Sequence, residues 1–214
     1  MIIEFIQNGR QPNPTFVGCC NDLQIAFGSG MTHRKDAFLS YENNTISIDS
    51  SIHKEKIDGH IATQVSDLIC NGKRIGYIFP DLVAKKKILF LSFGYDFFNC
   101  SVNGNNYKFY EVGLGPEKHY VCVYNSSDQL ISIIHKHDMV RNYKDSYTIY
   151  LLEKTYAEIA MLVALYFDCV RYPDHGEITG ADRTDDSFLT VQKELNDKFD
   201  PLFIEKVKSL ENRN

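Results

Sequence analysis

Between about residues 60 and 152, apolar and polar positions alternate in short runs separated by turn residues, which is the pattern of a strand-rich chain. His60–Cys70 reads as extended, Asn71-Gly72 as a tight hairpin turn, and Lys73–Phe79 as the returning strand, with Pro80 expected to end it. Lys87–Gly94 and Phe97–Val102 follow, and Asn103-Gly104-Asn105 turns the chain again. Tyr107–Gly113 leads through Gly115-Pro116 to Lys118–Tyr124, and Asn125–Asp128 turns into Gln129–His137. Ser146–Leu152 closes the series. In the first 55 residues, Phe16–Cys20, Leu23–Phe27, Phe38–Tyr41 and Thr45–Asp49 read as short strands, punctuated by Gly28-Ser29-Gly30 and Asn43-Asn44. Strands this frequent between turn signals point to a sandwich or a barrel.

Lys154–Arg171 breaks the pattern. Helix-favouring residues run through it and Pro173 stops it. From Ile159 to Phe167 it carries no charge, and at a hundred degrees per residue those apolar positions point in every direction. Such a helix must be enclosed, and this run is far below the roughly 20 residues that cross a bilayer. The abundant material available to enclose it is strand. Ala160 and Ala164, one turn apart, leave one side slim enough for close backbone approach.

Beyond the helix the chain turns polar. His175–Asp186 reads as a loop. Asp186 or Ser187 can cap a helix with apolar positions Phe188, Val191, Leu195 and Phe199. Asp200-Pro201 then starts another, with Phe203, Val207 and Leu210 on one face. The expected division is a barrel with its central helix over 1–173, the helix itself at 154–171, and an acidic loop and helical appendage over 174–214. The appendage is expected to lie on the barrel exterior or across a partner.

Composition sharpens the picture. The 13 Tyr and 14 Phe, with no Trp, favour pleated surfaces. The net charge of −5 sits mostly after Asp174, so the barrel region is close to neutral. A clustered basic face for nucleic acid is missing from this charge pattern. The opening Met1–Ile6 lacks a basic start and a long apolar core, so a cytoplasmic protein is expected rather than a secreted one. Cys19, Cys20, Cys70, Cys100, Cys122 and Cys169 show no CxxC spacing and read as free, packed thiols.

One stretch resembles a known family. The strand pair Val121–Tyr124 and Leu130–Lys136, a short basic linker, the strand Tyr147–Tyr150 and the helix Ala157–Val170 follow one another in this order. This order resembles the tubby C-terminal-like superfamily, which includes the LURP-one-related proteins and the phospholipid scramblases. The resemblance rests on element order and the helix, not on a motif, and the helices after Asp186 depart from it. It implies a mainly β, α+β fold, a closed antiparallel β-barrel of about a dozen strands around the central helix, with C-terminal amphipathic helices added. Tubby proteins bind phosphoinositide headgroups through basic residues, but no such signature can be matched in this chain.

Several constellations bear on chemistry. Lys85-Lys86-Lys87 with Lys73 and Arg74 is the densest basic group, and on a hairpin end it could meet a phosphate or an anionic lipid headgroup. The plainer reading is a solvated loop guarding an exposed strand edge. His135 and His137 face one way on a strand and, with Asp138, offer metal-type donors, but no third histidine is placed by spacing, and His119 and His175 are candidates in principle only. The carboxylates Asp174, Glu177, Asp182, Asp185 and Asp186 miss the calcium-loop spacing. Gly113-Leu114-Gly115 lacks the third glycine of a dinucleotide cradle, and Gly28-Ser29-Gly30 is not a nucleophile elbow. No cofactor, metal or catalytic residue is assigned. The expected function is a non-catalytic binding domain that takes a protein or an anionic lipid headgroup on its outer surface, without nucleic acid and without a transmembrane span. The alternatives are a small hydrolase with a His/carboxylate site and an accessory or immunity-type protein acting by association. The oligomeric state is left open.

Overall fold

A computed structural model describes residues 1–9, 13–31, 36–88, 91–114, 118–137, 144–171 and 192–212, without the side chains of 31, 50–52, 84–88, 91–93, 170, 171 and 192. The strands are β1 (Ile2–Gln7), β2 (Thr15–Cys20), β3 (Leu23–Met31), β4 (Asp36–Tyr41), β5 (Asn44–Ile57) and β6 (His60–Cys70). They continue as β7 (Lys73–Ile88), β8 (Leu91–Val102), β9 (Asn105–Gly113), β10 (His119–Asn125), β11 (Leu130–Lys136) and β12 (Ser146–Leu151). Each pairs antiparallel with the next, and β1 pairs with β12, so the sheet closes into a barrel. Asn71-Gly72 and Asn103-Gly104 both take positive φ at their two central positions (51° and 72°, 50° and 80°), the geometry that matches the twist of two-residue hairpins.

The apolar helix α1 (Ala157–Tyr166) threads this barrel. A 3-10 turn at Lys154–Tyr156 leads in and a π-helical turn at Phe167–Arg171 leads out. Every residue of α1 except Glu158 is buried. Inward-facing side chains of the strands, among them Ile3, Phe5, Phe16, Leu39, Ile78 and Ile149, share one core with it. The wall makes room by losing side chains. A Cβ on Gly18 would sit 3.0 Å from Met161 Sδ, one on Gly28 would sit 3.5 Å from Leu165 Cδ1, and one on Gly30 would collide with Cys169 Sγ. Met161, Leu165 and Cys169 are four residues apart, so one stripe of the helix seats its bulk against glycine after glycine. On the opposite flank Phe98 meets Phe167 at 5.1 Å and Tyr166 at 5.8 Å, both edge-to-face.

Four expectations need correction. Pro80 does not end its strand. β7 runs on to Ile88 with Pro80 opposite Phe98. By then β7 has left β6, whose last pair with it is Ser66–Ile78, and a proline is tolerated on a strand paired along one side. Lys87–Gly94 is not one strand, since Ile88 pairs with Leu91 across a hairpin. Gly28-Ser29-Gly30 is not punctuation but lies inside β3, where the helix comes closest. Met1–Ile6, read only for targeting, supplies the strand that closes the ring.

After residues 172–191, where Phe188, Val191 and the expected cap lie outside the described residues, come α2 (Gln192–Asn196) and α3 (Pro201–Glu211). Asp200 caps α3 by accepting from the Leu202 amide at 2.9 Å, and Pro201 takes the first helical position. Phe203 and Val207 bury against the outward faces of Tyr110, Cys122, Ile133 and Tyr150, whereas Leu210 is 38% exposed. The appendage therefore lies on the barrel exterior.

Candidate functional site

Because α1 and its neighbours fill the interior, a ligand must meet the outer wall or the loop rims. The wall is uneven. β1, β2, β4 and β12 have six residues each, while β5, β6, β7 and β8 have 14, 11, 16 and 12. At about 3.3 Å per residue, six residues cover about 20 Å and sixteen about 50 Å. The surplus leaves the barrel. β6 and β7 part after Ser66–Ile78, and β8 and β9 part beyond Phe98–Phe109. From there β7 and β8 continue as a two-stranded ribbon, and so do β5 and β6. Gln64 takes φ +61° near this departure, a left-handed backbone that glutamine seldom adopts. The distal β5–β6 ribbon folds over the outer face of β7, where Ile57, Ala62, Val65 and Phe79 bury together beside Tyr77.

This fold-back encloses one side of a cleft of about 980 Å³ on the outer wall. Tyr77, Phe97, Tyr107 and Tyr110 give it aromatic surface, and Asn99, Asn106 and Asn125 add amides. Four carboxylates line it, Asp58, Asp81, Asp96 and Asp128, against the lysines Lys108 and Lys198. Asp81 accepts from its neighbour's amide at Leu82 (2.8 Å) and from Asn99 Nδ2 (3.1 Å), which fixes one carboxylate and one amide side chain in the cleft. Burial raises the Tyr77 phenol, with the Asp58 charge adding to it, and burial raises Tyr107 as well. Burial likewise pushes Tyr110 up to about 12, with help from Tyr95 and Asp128. These phenols stay protonated at neutral pH, and the cleft offers neutral hydroxyls rather than phenolates.

The basic group read from the sequence is not one cluster. Lys73 and Arg74 start β7, and Lys85, Lys86 and Lys87 lie near its other end, twelve residues or about 40 Å of extended chain away. The side chains of those three lysines are outside the described residues. Arg74 is committed elsewhere. Its guanidinium pairs with Glu55 and holds Asp67 Oδ1 at 2.8 Å from Nε. That bond from Arg74 holds the Glu55 carboxyl below its usual range, against a smaller opposing effect of burial. His53 joins them, 3.4 Å from Glu55 and 3.8 Å from Asp67. His53, Glu55 and Asp67 have metal-type donors within 4.8 Å of one another, but Arg74 already bridges both carboxylates, so the donor set fits an ion-pair network.

His135 and His137 share the outer face with rings 4.6 Å apart, and neither lines the cleft. Asp138 and His175 lie outside the described residues. His137 Nε2 sits 2.7 Å from Thr148 Oγ1, which donates to both Glu4 oxygens at 3.1 Å. The hydroxyl stands between imidazole and carboxylate, so Glu4 does not orient the histidine as a hydrolase triad requires. His135 stacks on Tyr120 (4.8 Å), which stacks on Phe199 of the appendage (4.3 Å). His119 is separate, 2.6 Å from Glu111 Oε1.

Two features escaped the sequence reading. At the end of α1, buried Tyr147 donates to Asp168 Oδ2 at 2.6 Å and receives Lys136 Nζ at 3.1 Å, while Lys136 also pairs with Asp145. This chain ties the helix end to β11 and β12. Its signal was a lysine and an aspartate set among apolar neighbours. The second is the aromatic corner formed by Tyr110 and Tyr124, which only the β9–β10 register reveals. The six cysteines are free, and burial pushes Cys100 and Cys122 far above the usual thiol range and Cys169 well above it. Such thiols are poor nucleophiles. No helix among the described residues is long and apolar enough to cross a membrane.

No family model, no curated protein and no solved structure matches this chain. The reading of its function therefore rests on the cleft and its surroundings.

Proposed function

We propose that the chain is a non-catalytic binding domain of tubby-like architecture whose outer cleft takes an extended segment of a partner protein. The helix-filled, twelve-strand ring supports the kinship, since that superfamily shares an apolar helix threading a barrel. The observation that carries the function is the cleft beside β7. From Phe79 onward β7 pairs only with β8 among the described residues, so one flank is left open to a partner segment, although Pro80 brings no amide to it and the Leu82 amide is held by Asp81 Oδ1. Aromatic surface and amides from β8 and β9 line the same cleft and can grip side chains. A protein segment suits the site better than an anionic headgroup. Carboxylates outnumber lysines in the cleft, and the basic residues of β7 are spread along the strand with Arg74 already paired.

The test compares the wild-type chain with an Asp81→Lys/Asn106→Arg variant as immobilised bait in lysate of the native host, beside sedimentation with phosphatidylserine vesicles at low salt. The reading expects a polypeptide retained by the wild type and lost by the variant, with no vesicle binding. Vesicle binding abolished by Lys85→Glu/Lys86→Glu/Lys87→Glu, or retention indifferent to the cleft substitutions, overturns it.

A further inference from the structure

At one side of the cleft two tyrosine rings meet at a right angle. Tyr110 on β9 and Tyr124 on β10 are diagonal neighbours in the ladder, with centroids 5.5 Å apart and planes at 90°. The ammonium of Lys198, in the turn between α2 and α3, stands over both rings, 4.6 Å from one centroid and 5.1 Å from the other. Those are cation–π distances to two faces at once. The Tyr124 hydroxyl donates to the Lys198 carbonyl oxygen at 2.7 Å, so one residue of the tail is held by backbone and side chain together. Lys198 makes no ion pair among the described residues, and the rings receive its charge.

The corner is built beyond what one lysine of the tail needs. Phe97 stacks on Tyr110 at 5.7 Å, and Tyr95 packs on it at 6.4 Å, which fixes the ring that forms the floor. Lys198 also lines the cleft, together with four carboxylates. An alkylammonium entering along the cleft would find negative charge on its path and two neutral π faces at its end. The tail does not depend on Lys198 for its anchorage, because Phe203 and Val207 bury against the wall independently.

We propose that the Tyr110–Tyr124 corner is an alkylammonium subsite of the cleft, that Lys198 fills it in cis, and that a lysine side chain of the partner segment enters by displacing Lys198. This rests on the peptide-binding reading above and adds the chemistry of the bound segment. Exchange of one ammonium for another needs only a swing of the Lys198 side chain, with both helices in place.

The test follows the ring signals of Tyr110 and Tyr124 by NMR in the wild-type protein and in Lys198→Met. Tetramethylammonium chloride is titrated at constant ionic strength, with neopentyl alcohol as a neutral probe of the same shape. The proposal expects saturable shifts of both rings in Lys198→Met, an apparent Kd about tenfold lower than in the wild type, and silence with the alcohol. Adding Tyr124→Phe keeps the ring and should keep the response, whereas Tyr124→Leu should abolish it in a variant whose thermal unfolding shows it folded. Equal responses in wild type and Lys198→Met, or equal responses to cation and alcohol, overturn the subsite. A cleft that retains a polypeptide while the corner ignores the cation defeats this proposal and leaves the peptide-binding reading standing. A responsive corner on a cleft that retains no polypeptide does the reverse.

Discussion

The barrel is built to two lengths, and the contrast separates what holds the fold from what faces a partner. Along β1, β2, β4 and β12 the strands are six residues long, about 20 Å, close to the roughly 15 Å of the ten-residue helix they surround. Along β5 to β8 they run 11 to 16 residues and overshoot the helix. The short side spends its residues on closure, with glycines on β2 and β3 set against Met161, Leu165 and Cys169. The long side bends away and makes its own small core of Ile57, Ala62, Val65 and Phe79, and the cleft lies in the angle between the two. Enclosing the helix requires only the short length. The surplus is where the surface acquires a shape.

The largest break in this comparison is a charge placed on each side. Ala164→Glu buries a carboxylate at a position with no exposure, at a cost of several kcal/mol. That rivals the about 5–15 kcal/mol that holds a typical domain together, so no soluble folded protein is expected. Ile61→Glu, at a cleft position 74% exposed, should move the unfolding free energy by less than about 0.5 kcal/mol. Chemical denaturation of both variants decides, and a folded Ala164→Glu protein contradicts the account. Gly30→Ala is the next largest. Its new Cβ meets Cys169, and overpacking of this kind costs about 1–3 kcal/mol. Cys169→Ala in the same chain should recover part of the loss.

Smaller effects belong to the long side. Arg74→Ala leaves Glu55 and Asp67 facing each other at a partly exposed site, for a loss of about 1 kcal/mol in urea titrations. The pH dependence is smaller still. The folded Glu55 pKa is depressed, so its stabilisation is present above the ordinary carboxylate range and disappears as pH falls through the folded value. The fall in Tm on acidification below about pH 4.5 should be shallower in Glu55→Gln than in the wild type.

The enclosed helix and the tight turns were legible in the sequence, whereas the strand that closes the ring and the points where the ladders stop were not. Ile159 to Phe167 is apolar in every direction, which dictates a wrapped helix whatever wraps it. Asn71-Gly72, Asn103-Gly104 and Asp200-Pro201 act locally and fell where the residues placed them. Gly28 and Gly30 misled because a glycine that admits a helix looks like a glycine that turns a chain until its neighbour is known. The strand at Ile2–Gln7 pairs with residues some 140 positions away, which no local window reports. The cleft depends on where two ladders stop, at Ser66–Ile78 and Phe98–Phe109, and nothing in those residues marks a stop. Lys73 and Lys85 are near in number, but one unbroken strand carries them apart.

Native-state hydrogen exchange tests the central claim most directly. If α1 is enclosed on all sides and the long ribbons lie outside the cooperative core, the amides of Leu162 to Tyr166 should exchange only through global unfolding, with opening free energies equal to that from denaturation. On the flank of β7 left open beyond Ile78, the Leu82 amide, held by the Asp81 side chain, should exchange through local opening, several kcal/mol lower. Helix amides that exchange as fast as that flank would contradict the account.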